Sequence, residues 1–311
     1  MKSTLFSRRN FLATASAAVP AVLAASVTGA RNALGAAAEA NAAPAPKSIP
    51  VGLEMYSVRR TLGNGSNFAA IRPTLESLSK MGYHVAEFWS PYFNWTFPQA
   101  KEVRRMLDDL GMKSLSTHNG ANAFAPGDGI AKAIELNQIL GNKFIVMASA
   151  PGNTRTAEAW KQVADTLTKA SDTLRPHGLF AGFHNHQTEW TAIEEGKRAM
   201  DILAANTPKD FMLQLDVGTS VEANANPVEW IKSNPGRINS LHLKDWSRAQ
   251  GYGALFGEGE SPWKEILATA ESVGGVEFYL IEQEVTAPGA SELETMQRCM
   301  ANWKKLRGEA G

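Results

Sequence analysis

Eight times between residues 49 and 308, an apolar run of strand length is followed by a stretch whose apolar residues recur at helical spacing. That alternation limits the possible folds more than any single motif does. The strand-like runs are 49–57, 84–89, 113–118, 143–149, 180–186, 211–216, 238–244 and 276–284. The helical stretches are 68–82, 98–111, 130–141, 156–178, 194–205, 228–234, 263–275 and 291–308. Within 98–111, Val103, Met106, Leu107 and Leu110 fall on one helix face. Gly82, Gly111 and Gly141 stand one or two residues before the next strand, where a helix end favours a residue that tolerates positive φ. The strands are mostly apolar on both faces, as a parallel sheet covered by helices requires. Eight βα units in ~250 residues match a single-domain α/β fold, the (β/α)8 TIM barrel. An open doubly wound sheet is the alternative, but no Gly-rich phosphate loop follows the first strand. Gly63-Asn64-Gly65-Ser66 lies several residues beyond it and reads as a turn.

The last four strands share a second property. Each closes on side chains that bind metals: the His184-Asn185-His186 segment with Glu189 three residues on, then Asp216, His242 and Glu282. A polar residue where one strand meets solvent is ordinary, and Asp216 taken alone reads equally well as a cap on the next turn. Four such endings in succession predict convergence at the mouth of a barrel, and so a divalent-metal enzyme. Carboxylates with imidazole suit one Mn²⁺, Zn²⁺, Co²⁺ or Mg²⁺ ion rather than a soft metal. Period-two alternation puts His184 with His186, His242 with Lys244, and Glu282 with Glu284 on common faces. Asp245, on the opposite face, reads as a loop anchor. His118 ends the third strand, Glu87 the second, and Glu54 lies in the first beside Tyr56. Trp89, Trp95, Trp190 and Trp246 fall at or after strand ends, where aromatic faces suit sugars as well as plain packing.

Residues 1–42 stand apart from the fold. Ser7-Arg8-Arg9-Asn10-Phe11-Leu12 runs into an Ala-rich apolar stretch, and Ala40-Asn41-Ala42 offers a cleavage site. Pro20 interrupts a run that is short for a membrane span of ~20 apolar residues. The pattern resembles a twin-arginine export signal. It predicts a passing engagement with the twin-arginine translocase, a periplasmic destination, no lasting membrane association, and a barrel domain over 43–311. Removing Lys2, Arg8, Arg9 and Arg31 against Glu39 leaves 27 basic and 30 acidic residues, net −3. That balance gives no electrostatic reason to bind nucleic acid. Cys299 is the only cysteine, which excludes an intrachain disulfide.

The motifs GLEMYSVR (52–59), AEFW (86–89), FHNHQTEW (183–190), QLDVG (214–218), LHLKD (241–245), GEG (257–259) and IEQE (281–284) resemble the xylose isomerase-like TIM barrels, the sugar phosphate isomerase/epimerase family. The resemblance covers nearly all of the chain after residue 43. It implies one divalent metal held by carboxylates from strands five, six and eight and a His from strand seven, hence Asp216, His242 and Glu282. Strand five departs from the family pattern, since no Glu stands at its end. The reading adopted has Glu189 complete the ligand set, with His184 substituting as the alternative. His184, His186 and Glu284 are then the candidate proton-transfer groups. His118, Lys244, Arg248 and Trp246 are candidate contacts to a carbohydrate substrate; Arg248 stands where tagatose-epimerase relatives place a substrate-contacting Arg. The implied chemistry is proton removal beside a sugar carbonyl through an enediolate, leading to isomerisation, epimerisation or elimination. A non-catalytic periplasmic sugar-binding barrel is the alternative.

Overall fold

The computed structural model describes residues 49–309 apart from Asn153 and Glu195. The export segment read at 1–42 lies outside the described residues. Eight strands run parallel around a ring: β1 (Val51–Glu54), β2 (Val85–Glu87), β3 (Ser116–Asn119), β4 (Phe144–Met147), β5 (Phe180–His184), β6 (Met212–Asp216), β7 (Ser240–Leu243) and β8 (Phe278–Ile281). Their spatial order is β2-β1-β8-β7-β6-β5-β4-β3. The remaining seam, between β2 and β3, carries two isolated parallel bridges, Val85 to Lys113 and Phe88 to Thr117. His118 N donates across it to Phe88 O at 2.9 Å. The result is a nearly closed (β/α)8 barrel, as the alternation predicts.

The helices around it are α1 (Ile71–Met81), α2 (Phe97–Asp109), α3 (Asp128–Leu140), α4 (Ala157–Leu174), α5 (Ala199–Asn206), α6 (Val217–Glu222), α7 (Pro227–Ser233), α8 (Trp263–Thr269) and α9 (Glu292–Arg307). Gly82 and Gly141 close α1 and α3 at φ of 104° and 81°, a left-handed turn that a side chain would strain. Two stretches differ from the periodicity. Residues 194–205 are not one helix: Gly196, at φ 74°, turns a hairpin of Ala192–Glu194 with Lys197–Arg198, and α5 begins only after it. The short α6 has no counterpart in the helical periodicity. It starts because Asp216 itself caps it, accepting from Thr219 N at 2.9 Å.

Inside the ring, Val85, Phe144, Val146, Met212, Phe278 and Leu280 form an apolar plug. Alternation then carries polar side chains inward above it. On β6 the inward series is Met212, Gln214, Asp216. Register places Glu54 beside Glu87, His184 beside Gln214, and Asp216 beside His242. The outward faces pack on the helices in a separate and larger apolar layer. The polar floor therefore lies at the carboxyl ends of the strands, the end where barrels of this kind carry chemistry.

Candidate metal centre

Four donor residues arrive from four consecutive strands: His184 from β5, Asp216 from β6, His242 from β7 and Glu282 from just past β8. One ligand atom from each lies within 4.8 Å of the others, and all four residues are buried. His242 is gripped at both ring nitrogens, with Nδ1 2.6 Å from Glu282 Oε2 and Nε2 2.8 Å from Glu87 Oε2. Lys244 lies beside them, donating to Glu282 Oε1 at 3.2 Å and closely to Glu284 Oε1, with Asp216 Oδ2 3.8 Å away.

Burial sets the electrostatics, and neighbouring charges modify it. Burial opposes the charge on His242, but Glu87 and Glu282 raise its pKa to about 10. Burial likewise opposes charge on Glu282 and on Lys244. Lys244 and His242 nevertheless hold Glu282 well below the usual carboxylate range, and Glu282, Asp216 and Glu284 hold Lys244 high. Glu87 is held low against burial by His118 and His242. Burial, then Glu87, pushes Glu54 well up. Burial lowers the pKa of His118 and of His184.

Asp216 is the exception. Burial pushes its carboxyl up to about 6 against the pull of Lys244. Its Oδ1 caps α6, while Oδ2 is buried without a hydrogen-bond partner, 3.8 Å from His184 Nε2. A buried carboxylate oxygen left unpaired is costly, and this one faces two imidazoles and a second carboxylate. The donor set and the unpaired oxygen fit a divalent cation of the borderline-hard class.

Two of the four, His184 and Glu282, lie in the wall of a cavity of about 360 Å³. His118, His184, His186, Glu282 and Glu284 all line it. The His186 side chain is 42% exposed and its ring lies 5.0 Å from that of His184. Three residues read as substrate contacts do not line the cavity; Lys244 is buried and donates to Glu282 and Glu284. Arg248 is exposed and reaches Glu260, and neither it nor Trp246 lines the cavity.

Glu189 is not brought to the cluster. Its Oε2 accepts from His186 N at 2.7 Å and its Oε1 from Thr188 Oγ1 at 3.0 Å. The 3-10 turn Gln187–Trp190 directs the carboxylate back onto its own backbone and towards a separate cleft with Arg155 and Trp160. The strand-five position at the cluster is occupied by His184.

Asp245 anchors the loop ahead of α8, accepting from Gly257 N, Gly259 N and Trp263 Nε1 at 2.9, 3.0 and 2.7 Å. Gln214 was overlooked in the sequence, although its place two residues before Asp216 sets it on the same inward face. Tyr56 and Trp89 line the cavity with rings 6.1 Å apart, edge to face.

Solved structures share this architecture. A sugar phosphate isomerase/epimerase from Parabacteroides distasonis superposes with a TM-score of 0.69 at 22% identity, covering 83% of this chain and 94% of that one. The IolI protein with a bound zinc atom gives 0.62 at 17% identity, covering 83% and 97%. The probable 3-DHS dehydratase AsbF from Bacillus anthracis gives 0.61 at 12% identity, covering 82% and 98%. At these identities the likeness establishes the fold. No curated protein sequence matches the chain. The xylose isomerase-like TIM barrel profile matches residues 75–303, well over half of the chain, which therefore belongs to that family.

Proposed function

We propose that the protein is a divalent-metal-dependent isomerase, epimerase or lyase that removes a proton next to the carbonyl of an uncharged carbohydrate. The observation that carries this reading is the gathering of His184, Asp216, His242 and Glu282 within 4.8 Å, with one Asp216 oxygen unpaired. Those four residues would hold the ion, which when bound supplies a Lewis acid for a sugar carbonyl and the hydroxyl beside it. The P. distasonis relative is described as a sugar phosphate isomerase/epimerase and IolI as zinc-binding, which supports both halves of the reading.

The chain's own groups divide the remaining work. His186 follows β5 and Glu284 follows β8, so they approach the cavity from positions separated by β6 and β7. A proton taken by a Glu284 carboxylate oxygen on one face, and one returned from His186 on the other, amounts to epimerisation. Delivery of the proton to a departing oxygen at the next carbon gives elimination instead. Tyr56 and Trp89 offer an apolar wall to a sugar face. Among the described residues lining the cavity there is no Lys or Arg, while Glu54, Glu282 and Glu284 are present. Lys244, the cation beside the wall, is already paired with Glu282 and Glu284, which favours a neutral sugar over a phosphorylated one. The Arg8-Arg9 pair and its apolar run support export by the twin-arginine translocase to the periplasm. Replacing both arginines by lysine is expected to leave the protein in the cytoplasmic fraction.

The test is a set of aldoses, ketoses and 3-keto-glycosides incubated in D₂O with Mn²⁺. Deuterium should enter at the carbon next to the carbonyl and stop entering after chelation. Saturable sugar binding that ignores chelation, with no exchange in any sugar, would identify a binding module instead.

A further inference from the structure

Gln214 sits between the rings of His118 and His184. Its Oε1 lies 2.7 Å from His118 Nε2 and 3.1 Å from His184 Nδ1, and its Nε2 lies 3.0 Å from Glu87 Oε1. The amide cannot be turned over at will. Glu87 is surrounded by donors, His242 Nε2 at 2.8 Å and the Ser116 hydroxyl, so it stands as an accepting carboxylate. A Gln214 carbonyl placed against it would set acceptor on acceptor. The amide NH₂ therefore faces Glu87 and the carbonyl faces both rings. A ring nitrogen at hydrogen-bond distance from that carbonyl must carry the hydrogen. His118 Nε2 also faces Glu87 Oε2 at 3.1 Å, a second acceptor that requires the same.

In the neutral ring, a hydrogen on Nδ1 leaves the other nitrogen of His184 bare. That nitrogen, Nε2, faces the unpaired Oδ2 of Asp216 at 3.8 Å. A buried, unpaired carboxylate oxygen and a bare ring nitrogen thus lie 3.8 Å apart, an arrangement a cation resolves.

We propose that Gln214 is a positioning residue that fixes the tautomers of both His118 and His184, and so presents His184 Nε2 as the cation-binding nitrogen of β5. Its functional consequence rests on the metal reading above; the tautomer assignment itself does not. One amide links the β5 ligand to Glu87, which in turn holds His242. The orientations of the two imidazole ligands are thereby coupled through a single hydrogen-bonded chain. Outer partners of this kind typically change metal affinity about 10–100-fold.

The experiment uses full-length protein labelled with ¹⁵N at histidine, stripped of metal, with long-range ¹H–¹⁵N correlations assigned with the help of His184→Gln. The expected result is a hydrogen on Nδ1 of His184 and on Nε2 of His118. A hydrogen on Nε2 of His184 overturns the proposal, and the wild-type spectrum decides this without any folded variant. In the second arm, Co²⁺ binding is followed by visible absorption. Gln214→Met, close in size but without the amide, should bind about 10–100-fold more weakly and lose the fixed tautomer. Wild-type affinity in that variant also overturns the proposal. Expected tautomers in a wild-type protein that takes up no Co²⁺ would overturn the metal reading and leave the tautomer assignment standing.

Discussion

At the scale of the residue, Asp216 has two tasks that fit poorly without a cation. One oxygen caps α6 and the other is buried unpaired. Asparagine keeps the cap and supplies an N–H towards the bare face of His184. Asp216→Asn should therefore abolish metal uptake without unfolding the barrel. The pH dependence follows from the raised pKa. The unfolded carboxyl titrates near about 4 and the folded one at about 6, so in that window the folded state binds more protons and stability from this group falls as pH rises. In chelator, thermal melts should show Asp216→Asn above the wild type at neutral pH, with the gap closing as pH falls towards about 4. A gap constant with pH would mean that burial does not strain this carboxylate.

The strand-five ligand gives a second residue-scale prediction. Metal content should be lost in His184→Gln and retained in Glu189→Gln; the reverse pattern would reinstate Glu189. The sequence points to Asp216, His242 and Glu282 because each lies within one residue of a strand's end, where the pleat dictates facing. Glu189 lies beyond the strand in a turn, and turn geometry rather than alternation decides where its carboxylate goes.

At the scale of the element, the site depends on how the ends of the strands are tied. The loop ahead of α8 hangs on Asp245, which receives two glycine amides and an indole. Asp245→Ala leaves the buried Trp263 indole N–H without its acceptor, at a cost of about 1–3 kcal/mol, and frees the two glycine amides. A lower denaturant midpoint and faster hydrogen exchange at the Gly257 and Gly259 amides would report it.

The last helix is tied to the first loop in the same way. Glu292, the first residue of α9, accepts from Arg60 N and Nε and from Thr61 N and Oγ1 at 2.8–3.2 Å. Burial alone would raise its pKa; the Thr61 and Arg60 donors outweigh it and hold it below the usual value. A depressed carboxylate stabilises above its unfolded pKa, and that stability is lost as pH falls through the folded value. Glu292→Gln is expected to cost about 1–3 kcal/mol at neutral pH and to flatten the acid limb of the stability profile, as measured by urea unfolding at several pH values.

At the scale of the whole molecule, one ion would join four strands that neighbour each other around half of the barrel. Binding to the folded state alone at 100 times Kd adds about 2.7 kcal/mol. For a chain of this length that corresponds to a rise in Tm of about 4–5 °C. Calorimetry with and without chelator should show it in the wild type and not in Asp216→Asn. The barrel is legible in the sequence because local physics writes it: strand runs apolar on both faces, helical spacing, and glycines at helix ends. The inward facing of Gln214, Asp216 and His242 follows from the same period of two.

Local pattern does not contain distances between strands or the hydrogens that pass between them. Ring closure set Glu87 of β2 against His242 of β7 and laid Gln214 across two imidazoles. Folding of the segment after β5 turned Glu189 away and left His184 in its place. The chain alone determined which side chains face the barrel interior, because facing is a property of one strand. Tertiary structure alone decided which of them touch, because contact depends on the twist and register of strands that the sequence keeps far apart.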